Sequence, residues 1–404
     1  MTGLALDPNG ARLVTGGIDY EVKFWDFQGM DSTLQSFRTI KPCQAHSISH
    51  LEYNSNGEML LIISGSCHAK LVDRDGVVKA ETVKGDQYIT DKSMTKGHVA
   101  MLNSGAWHPL ERHLFATTSN DGTARIWDVN TIAGRELRGH QTLLKPRSRA
   151  GGWAVPNSVA FNSSGGGGGG GGGALIALGC ADGSIQMWDT RRASTVNTAH
   201  LIRPAHEAAS EISGLRFSYS GNGLLSRGLD GTMKLWDMRQ LRESRLSYTA
   251  GRSAFQPVHV WSEGLSNRYS QTDCFFSPDD RLAVTGVSVD ERPGSAERGS
   301  LRFYDATGAK DFGLVQAVEC GGGGGGGGAS SKASSVIRSL WHPKLNQVVA
   351  SSSDGSVRVM YDMSRSSRGA LLCSFRVKRK RKDVFTSATA QIITRKWGSL
   401  GFVF

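Results

Sequence analysis

The feature that most constrains the fold is a short closing unit, an alternating strand that ends in a bulky residue followed by Asp. It occurs as Trp25-Asp26, Trp127-Asp128, Trp188-Asp189 and Trp236-Asp237, and in weaker form as Val72-Asp73, Tyr304-Asp305 and Tyr361-Asp362. The intervals between these seven closures are 47, 55, 61, 48, 68 and 57 residues. Two of them contain glycine homopolymers, Gly165 to Gly173 and Gly321 to Gly328, without which they shorten to 52 and 49. A unit returning at this period cannot bury its own faces and must stack on copies of itself.

The best copy is AWHPLERHLFATTSNDGTARIWDV, residues 106 to 129. An apolar strand ends in a His-Pro turn, a second ends at Asn120-Asp121-Gly122, and a third runs to Trp127-Asp128, which reads as three short antiparallel strands. Asp121, Asp182, Asp230 and Asp354 occupy the same turn, each followed by Gly, and Asp19 takes that place without the glycine. With a fourth strand in each interval, the spacing suits blades of about 40 to 45 residues plus loop insertions.

This pattern resembles the WD-repeat family, and the resemblance implies an all-β fold, a seven-bladed β-propeller. The expected organisation is one propeller over 1–377, with the glycine tracts as loop insertions at 165–173 and 321–328, and a basic, flexible tail over 378–404. In the family a His, a Ser or Thr, the turn Asp and the Trp form a buried network that locks a blade. Gly97-His98 with Ser119, Asp121 and Trp127 match that pattern, and they read as structure, because a half-satisfied buried network is costly. The second unit has Cys67-His68-Ala69 in place of the Asp turn and Val72 in place of Trp, and the seventh has Met360 at the Trp place, so both should rely on packing. The first repeat opens at Leu4 with its innermost strand, so the outer strand of the last blade is expected from Ala370 to Val377; otherwise that blade exposes an edge.

Composition narrows the class. Charged residues make up 21% and hydrophobic residues 39%, which is globular. The net charge is +11, but residues 376 to 404 carry eight Lys or Arg against one Asp, so the rest of the chain is close to balanced. Basicity belongs mainly to the tail and gives no general argument for nucleic acid. The six cysteines are scattered with no C-x-x-C pair, which argues against a disulfide framework or zinc knuckle and for a reducing compartment. No secretory signal opens the sequence, and the longest apolar run, Met59 to Ile63, is far short of a membrane span.

Longer stretches carry a narrower resemblance. GARLVTGGIDYEVKFWDFQGMD (10 to 31), KGDQYITDKSMTKGHVAMLNSGAWHP (84 to 109), TDCFFSPDDRLAVTG (272 to 286) and SLWHPKLNQVV (339 to 349), continuing to RGALLC, are similar to the gastrulation-defective branch of WD-repeat proteins. The resemblance covers residues 1 to about 375. The acidic, Ser-rich amino-terminal region of that branch is not part of this sequence, and the ending AQIITRKWGSLGFVF departs from it. The resemblance implies a nuclear scaffold in genome maintenance, associated with cullin-RING ubiquitin ligases and histone monoubiquitination, or with splicing assemblies.

Candidate sites follow from what the architecture does not require. Arg191 and Arg239 each stand two residues after a closing Asp, in SIQMWDTR and TMKLWDMR, and Arg192 follows the first. Asp-x-Arg after a blade's Trp resembles the box by which many propellers dock on the adaptor of cullin-4 ligases. There the planar guanidinium offers donors that Lys cannot copy; the alternative is a surface Arg paired with a nearby acid. Lys378, Arg379, Lys380, Arg381 and Lys382 suggest nuclear import or phosphate contact, and LLKPRSRA (143 to 150) is a smaller basic loop.

The glycine tracts lack the Lys and Ser/Thr register of a phosphate loop, and no G-x-S-x-G or H-E-x-x-H appears. The expectation is a non-enzymatic nuclear protein without cofactor, metal, membrane or small-molecule substrate. Its partners would be a cullin-4 ligase adaptor and chromatin components. The alternative is a structural subunit of a spliceosomal ribonucleoprotein that grips RNA through its rim and tail.

Overall fold

A computed structural model describes residues 1–30, 34–132, 139–163, 175–191, 198–240, 255–289, 299–320, 334–374, 393–395 and 399–403. It is a ring of seven antiparallel sheets whose strands follow chain order from the inside outward. Blade one comprises Gly3–Leu6, Arg12–Gly16, Val22–Asp26 and Arg38–Ile40; blade two comprises Ile48–Tyr53, Met59–Ser64, Lys70–Asp73 and Val78–Glu81. Blades three to six open at Leu102, Pro156, Ile212 and Cys274, and end in the outer strands Thr142–Leu144, His200–Ile202, His259–Trp261 and Leu314–Glu319. The seventh comprises Val336–His342, Gln347–Ser352 and Val357–Tyr361, completed by Ser399–Val403.

The sequence pattern explains the layering. Second strands such as MLLIIS (Met59–Ser64) lie between two strands and two neighbouring blades, so nearly every position is buried. Outer strands such as LVQAVE (Leu314–Glu319) face solvent. The turn between second and third strands holds Gly122, Gly183, Gly231 and Gly355 at φ between 75° and 84°, which is why Asp-Gly recurs there; in blade one Tyr20 takes that conformation at φ 66°.

One packing rule holds for blades one to six, the closing residue packing on the blade before it, whereas in blade seven Met360 takes that side and Tyr361 joins the blade-one cluster. Trp127 joins Leu61, Ile63 and Leu71 of blade two, Trp188 joins Ala106 and Ile126 of blade three, and Trp236 joins Met187 and Ile185 of blade four. Tyr304 does the same with Met233 and Leu235, and Val72 with Phe24 and Val14. Trp25 has only the last blade to turn to, and it packs with Val349, Val357 and Val359. Ring closure is therefore a core contact, reinforced by the bond from His342 Nε2 to the Asp7 carbonyl at 3.0 Å.

Two expectations about the end of the ring are corrected. In 370–377, expected to form the last outer strand, Leu371–Ser374 forms a helical turn, because Ala370 and Cys373 fold inward into the cluster of Leu13 and Trp25. The outer strand is Ser399–Val403, which pairs Arg358 with Val403 and Val359 with Phe402, and Ile393–Arg395 lies beyond it as a fifth strand. The region 378–404, expected to be a flexible tail, thus contributes two strands.

The inner strands share an irregularity. In blades two, three, four, five and seven the pairing with the second strand skips one residue at the same level, leaving Ser49, Asn103, Asn157, Ser213 and Ile337 as single-residue bulges. A bulge re-aims its side chain. Four of these five residues line a cavity of about 520 Å³ at one end of the central channel.

Candidate functional site

The His-Asp-Trp constellation is buried and continuous, but its hydroxyl is not the one expected. His98 Nδ1 lies 2.9 Å from Asp121 Oδ2, and His98 Nε2 lies 2.8 Å from Thr117 Oγ1, to which Trp127 Nε1 donates at 2.8 Å. Ser119 instead donates to the Ala100 carbonyl at 3.0 Å and accepts the Asp121 amide at 3.2 Å, so it holds the turn. The reason is register: Trp127 stands opposite Phe115, and the indole crosses diagonally to the hydroxyl two residues further along.

The network also forms in blade five, where no Gly-His pair announces it. His206 Nδ1 is 2.9 Å from Asp230 Oδ2, His206 Nε2 is 2.8 Å from Ser226 Oγ, and Trp236 Nε1 donates to Ser226 Oγ at 2.9 Å. The available signal was spacing. A hydroxyl stands ten residues before Trp in Thr15/Trp25, Thr117/Trp127 and Ser226/Trp236, and all three pairs are bonded.

Every donor is used once only if the imidazole is neutral: indole to hydroxyl, hydroxyl to Nε2, Nδ1–H to carboxylate. The electrostatics agree. Burial lowers the pKa of His98 and of His206 against the pull of the adjoining carboxylate. Burial would raise Asp121 and Asp230, but the bonds from the histidine and from Thr123 or Thr232 outweigh it and hold both carboxyls below their usual range. Such a closed network offers no group to a substrate.

Arg191 and Arg239 stand at the start of the segments between third and outer strands of adjacent blades. The Nε of Arg191 donates to Asp189 Oδ1 at 3.1 Å, and Arg239 does the same to Asp237 Oδ1 at 3.1 Å. In each case the backbone amide of the Arg binds the same carboxylate oxygen, at 3.1 and 2.9 Å. The closing Asp thus folds its own Arg into a compact loop, while the side chains remain 57% and 71% exposed. Arg192 and Lys378, Arg379, Lys380, Arg381 and Lys382 lie outside the described residues, as do both glycine tracts.

The channel itself carries compensated charge. Arg338 stands 3.7 Å from Asp273 and Arg216 stands 3.9 Å from Glu52, whose other oxygen accepts the Trp107 amide at 2.8 Å. Burial pushes Asp273 up to about 6 and also raises Glu52, while His50 beside them is lowered by burial and by Arg338. Among the described residues no group of three His, Cys, Asp or Glu is placed to hold a metal, and no helix is long and apolar enough to cross a membrane.

The WD domain, G-beta repeat profile matches residues 1–26, 91–128 and 198–237, which fall on blades one, three and five and their approaches. The chain belongs to the WD-repeat proteins. Within them it is similar over nearly its whole length to the gastrulation-defective branch. It is 45% identical over 391 residues to the Gastrulation defective protein 1 homolog of Drosophila melanogaster, covering 97% of this chain and 53% of that protein. It is 42% identical to WD repeat-containing protein 70 of Xenopus tropicalis and 41% identical to that of Homo sapiens, covering 98% of this chain and 56% and 53% of theirs. The chain spans about half the length of the curated relatives it matches. The WD-repeat propeller is a fold typical of scaffolds for protein–protein interaction.

Proposed function

We propose that this WD-repeat protein is a non-catalytic nuclear scaffold that docks on the adaptor of a cullin-4 RING ubiquitin ligase and presents substrates in chromatin ubiquitination during the DNA damage response. The observation that carries this reading is the Arg191/Arg239 pair. Two adjacent blades each place an exposed guanidinium at the same step after the closing Asp, each oriented by that Asp and turned outward. An exposed ion pair of this kind holds little energy, so releasing or sharing the guanidinium with a partner costs little, while the planar fork gives geometric selectivity. Similarity to the gastrulation-defective branch supports a nuclear setting, as does the basic run 378–382.

The test is capture of purified cullin-4 adaptor by the wild-type chain, Arg191→Ala, Arg239→Ala and the double variant. The double variant should lose capture, and the two Arg→Lys variants should recover little of it. Wild-type capture by the double variant overturns the docking reading.

A further inference from the structure

We propose that the segment between blades three and four, residues 145–154, is a landing site for single-stranded nucleic acid, with Trp153 as the stacking platform and Lys145, Arg147 and Arg149 as phosphate contacts.

The segment reads KPRSRAGGWA and contains three cations and no acid. It folds as a small hairpin, closed by the Ala154 amide on the Pro146 carbonyl at 3.1 Å and the Ser148 amide on the Gly152 carbonyl at 2.8 Å. Gly151 at its tip has φ 83°, which lets the chain reverse there. Blade four fixes its base: Gln186, buried between the blades, receives the Arg147 amide on Oε1 at 3.1 Å and returns Nε2 to the Arg147 carbonyl at 2.7 Å. Arg203 donates to the same carbonyl.

Trp153 is held without being hidden. Its Cβ lies against Gly122 of the blade-three turn so closely that a side chain there would stand 3.0 Å away. The Arg147 guanidinium lies over its ring at 4.5 Å and the Lys145 ammonium at 5.9 Å. Yet 37% of the residue remains exposed. The exposed indole offers a flat apolar face, and the cations around it repel a cationic partner and would lose their water to a purely apolar one. A nucleobase answers both, because it stacks on the indole–guanidinium pair while its phosphates meet the cations.

Two residues beyond Trp153, Val155 forms part of the wall of the channel-mouth cavity, which Asn103, Asn120 and Asn157 also line. Amide side chains of this kind pair with base edges, so a neighbouring base has hydrogen-bonding partners within reach. Within a duplex the bases are stacked on both faces and paired, and only the terminal pair presents a face, whereas every base of a single strand can reach the indole, which is why the site fits a single strand.

The experiment measures fluorescence anisotropy of labelled twelve-nucleotide single strands, RNA in one arm and DNA in the other, with a duplex of the same sequence for comparison. The full chain is used, and in parallel the full chain with Lys378, Arg379, Lys380, Arg381 and Lys382 replaced by Ser, so that the basic run cannot mask the hairpin. Single strands should bind more tightly than duplex. Trp153→Ala should weaken binding about tenfold, the worth of one stacked base, with Trp153→Phe retaining most of it. Arg149→Glu, at an exposed position, should weaken binding and flatten its salt dependence. A preference for RNA over DNA assigns a role to the 2′-hydroxyl, and equal affinities assign recognition to stacking and phosphate alone. Wild-type affinity for Trp153→Ala and Arg149→Glu in the Ser-substituted chain overturns the proposal. Arg239→Ala should leave binding unchanged, since the segment after a third strand and the segment after an outer strand lie on opposite faces of the ring. Failure here therefore does not bear on adaptor docking.

Discussion

Thr117→Val tests the blade lock at its least replaceable atom. Thr117 is fully buried, and Val has its shape, so the substitution opens no cavity. It leaves the Trp127 indole N–H and His98 Nε2 without the oxygen that now serves both at 2.8 Å. A buried group stripped of its partner costs about 1–3 kcal/mol, so two cost about 2–6 kcal/mol, a large part of a typical domain stability of about 5–15 kcal/mol. Thr117→Ser keeps the oxygen and should cost about 1 kcal/mol for the lost methyl. Ser119→Ala should cost about 1 kcal/mol, since its hydroxyl serves the turn. Urea unfolding at pH 7.5, followed by tryptophan fluorescence and circular dichroism, gives the order. A Thr117→Val midpoint equal to that of wild type, or Ser119→Ala as the more damaging change, would refute the assignment.

Two further outcomes are expected. Stability should fall as pH drops below about 6.5, because His98 and His206 have folded-state pKa values below the unfolded value and His140 is lowered to about 4 by burial and Arg125, so the unfolded chain takes up more protons. Asp273, raised to about 6, works in the opposite sense; melting temperatures that rise steadily from pH 7 to 4 would show the histidines to be solvated. Gly10→Ala should destabilise by about 1–3 kcal/mol, because Gly10 has φ 70° and an added Cβ would stand 2.4 Å from Leu345, a buried side chain of blade seven; an unchanged unfolding midpoint would refute that contact.

The ring was legible because its markers are local. Asp-Gly turns and strand-closing tryptophans state their roles within a few residues, and blades repeat them. The hydroxyl partner was less legible: Thr117 and Ser119 lie on the same side of one strand, and only the Phe115–Trp127 register chooses between them. His206 escaped notice because it follows Ala rather than Gly. The last outer strand was misplaced because Ala370 to Cys373 is apolar enough for either a strand or an inward turn, and the neighbouring Leu13–Trp25 cluster decides. Trp153 could not be singled out at all, since its importance comes from Gly122, a contact across more than thirty positions of chain.

The bulges in the inner strands give the molecule a layer in which identity is decoupled from ladder register. Ser49, Asn103, Asn157 and Ser213 have no opposite number on the neighbouring strand, so exchanging them leaves the register untouched, at the cost of local bonds such as Asn103 to Asn157 and Ser213 to the Arg227 carbonyl, while changing the chemistry displayed at the channel mouth. A seven-part ring can in this way change its recognition surface one blade at a time.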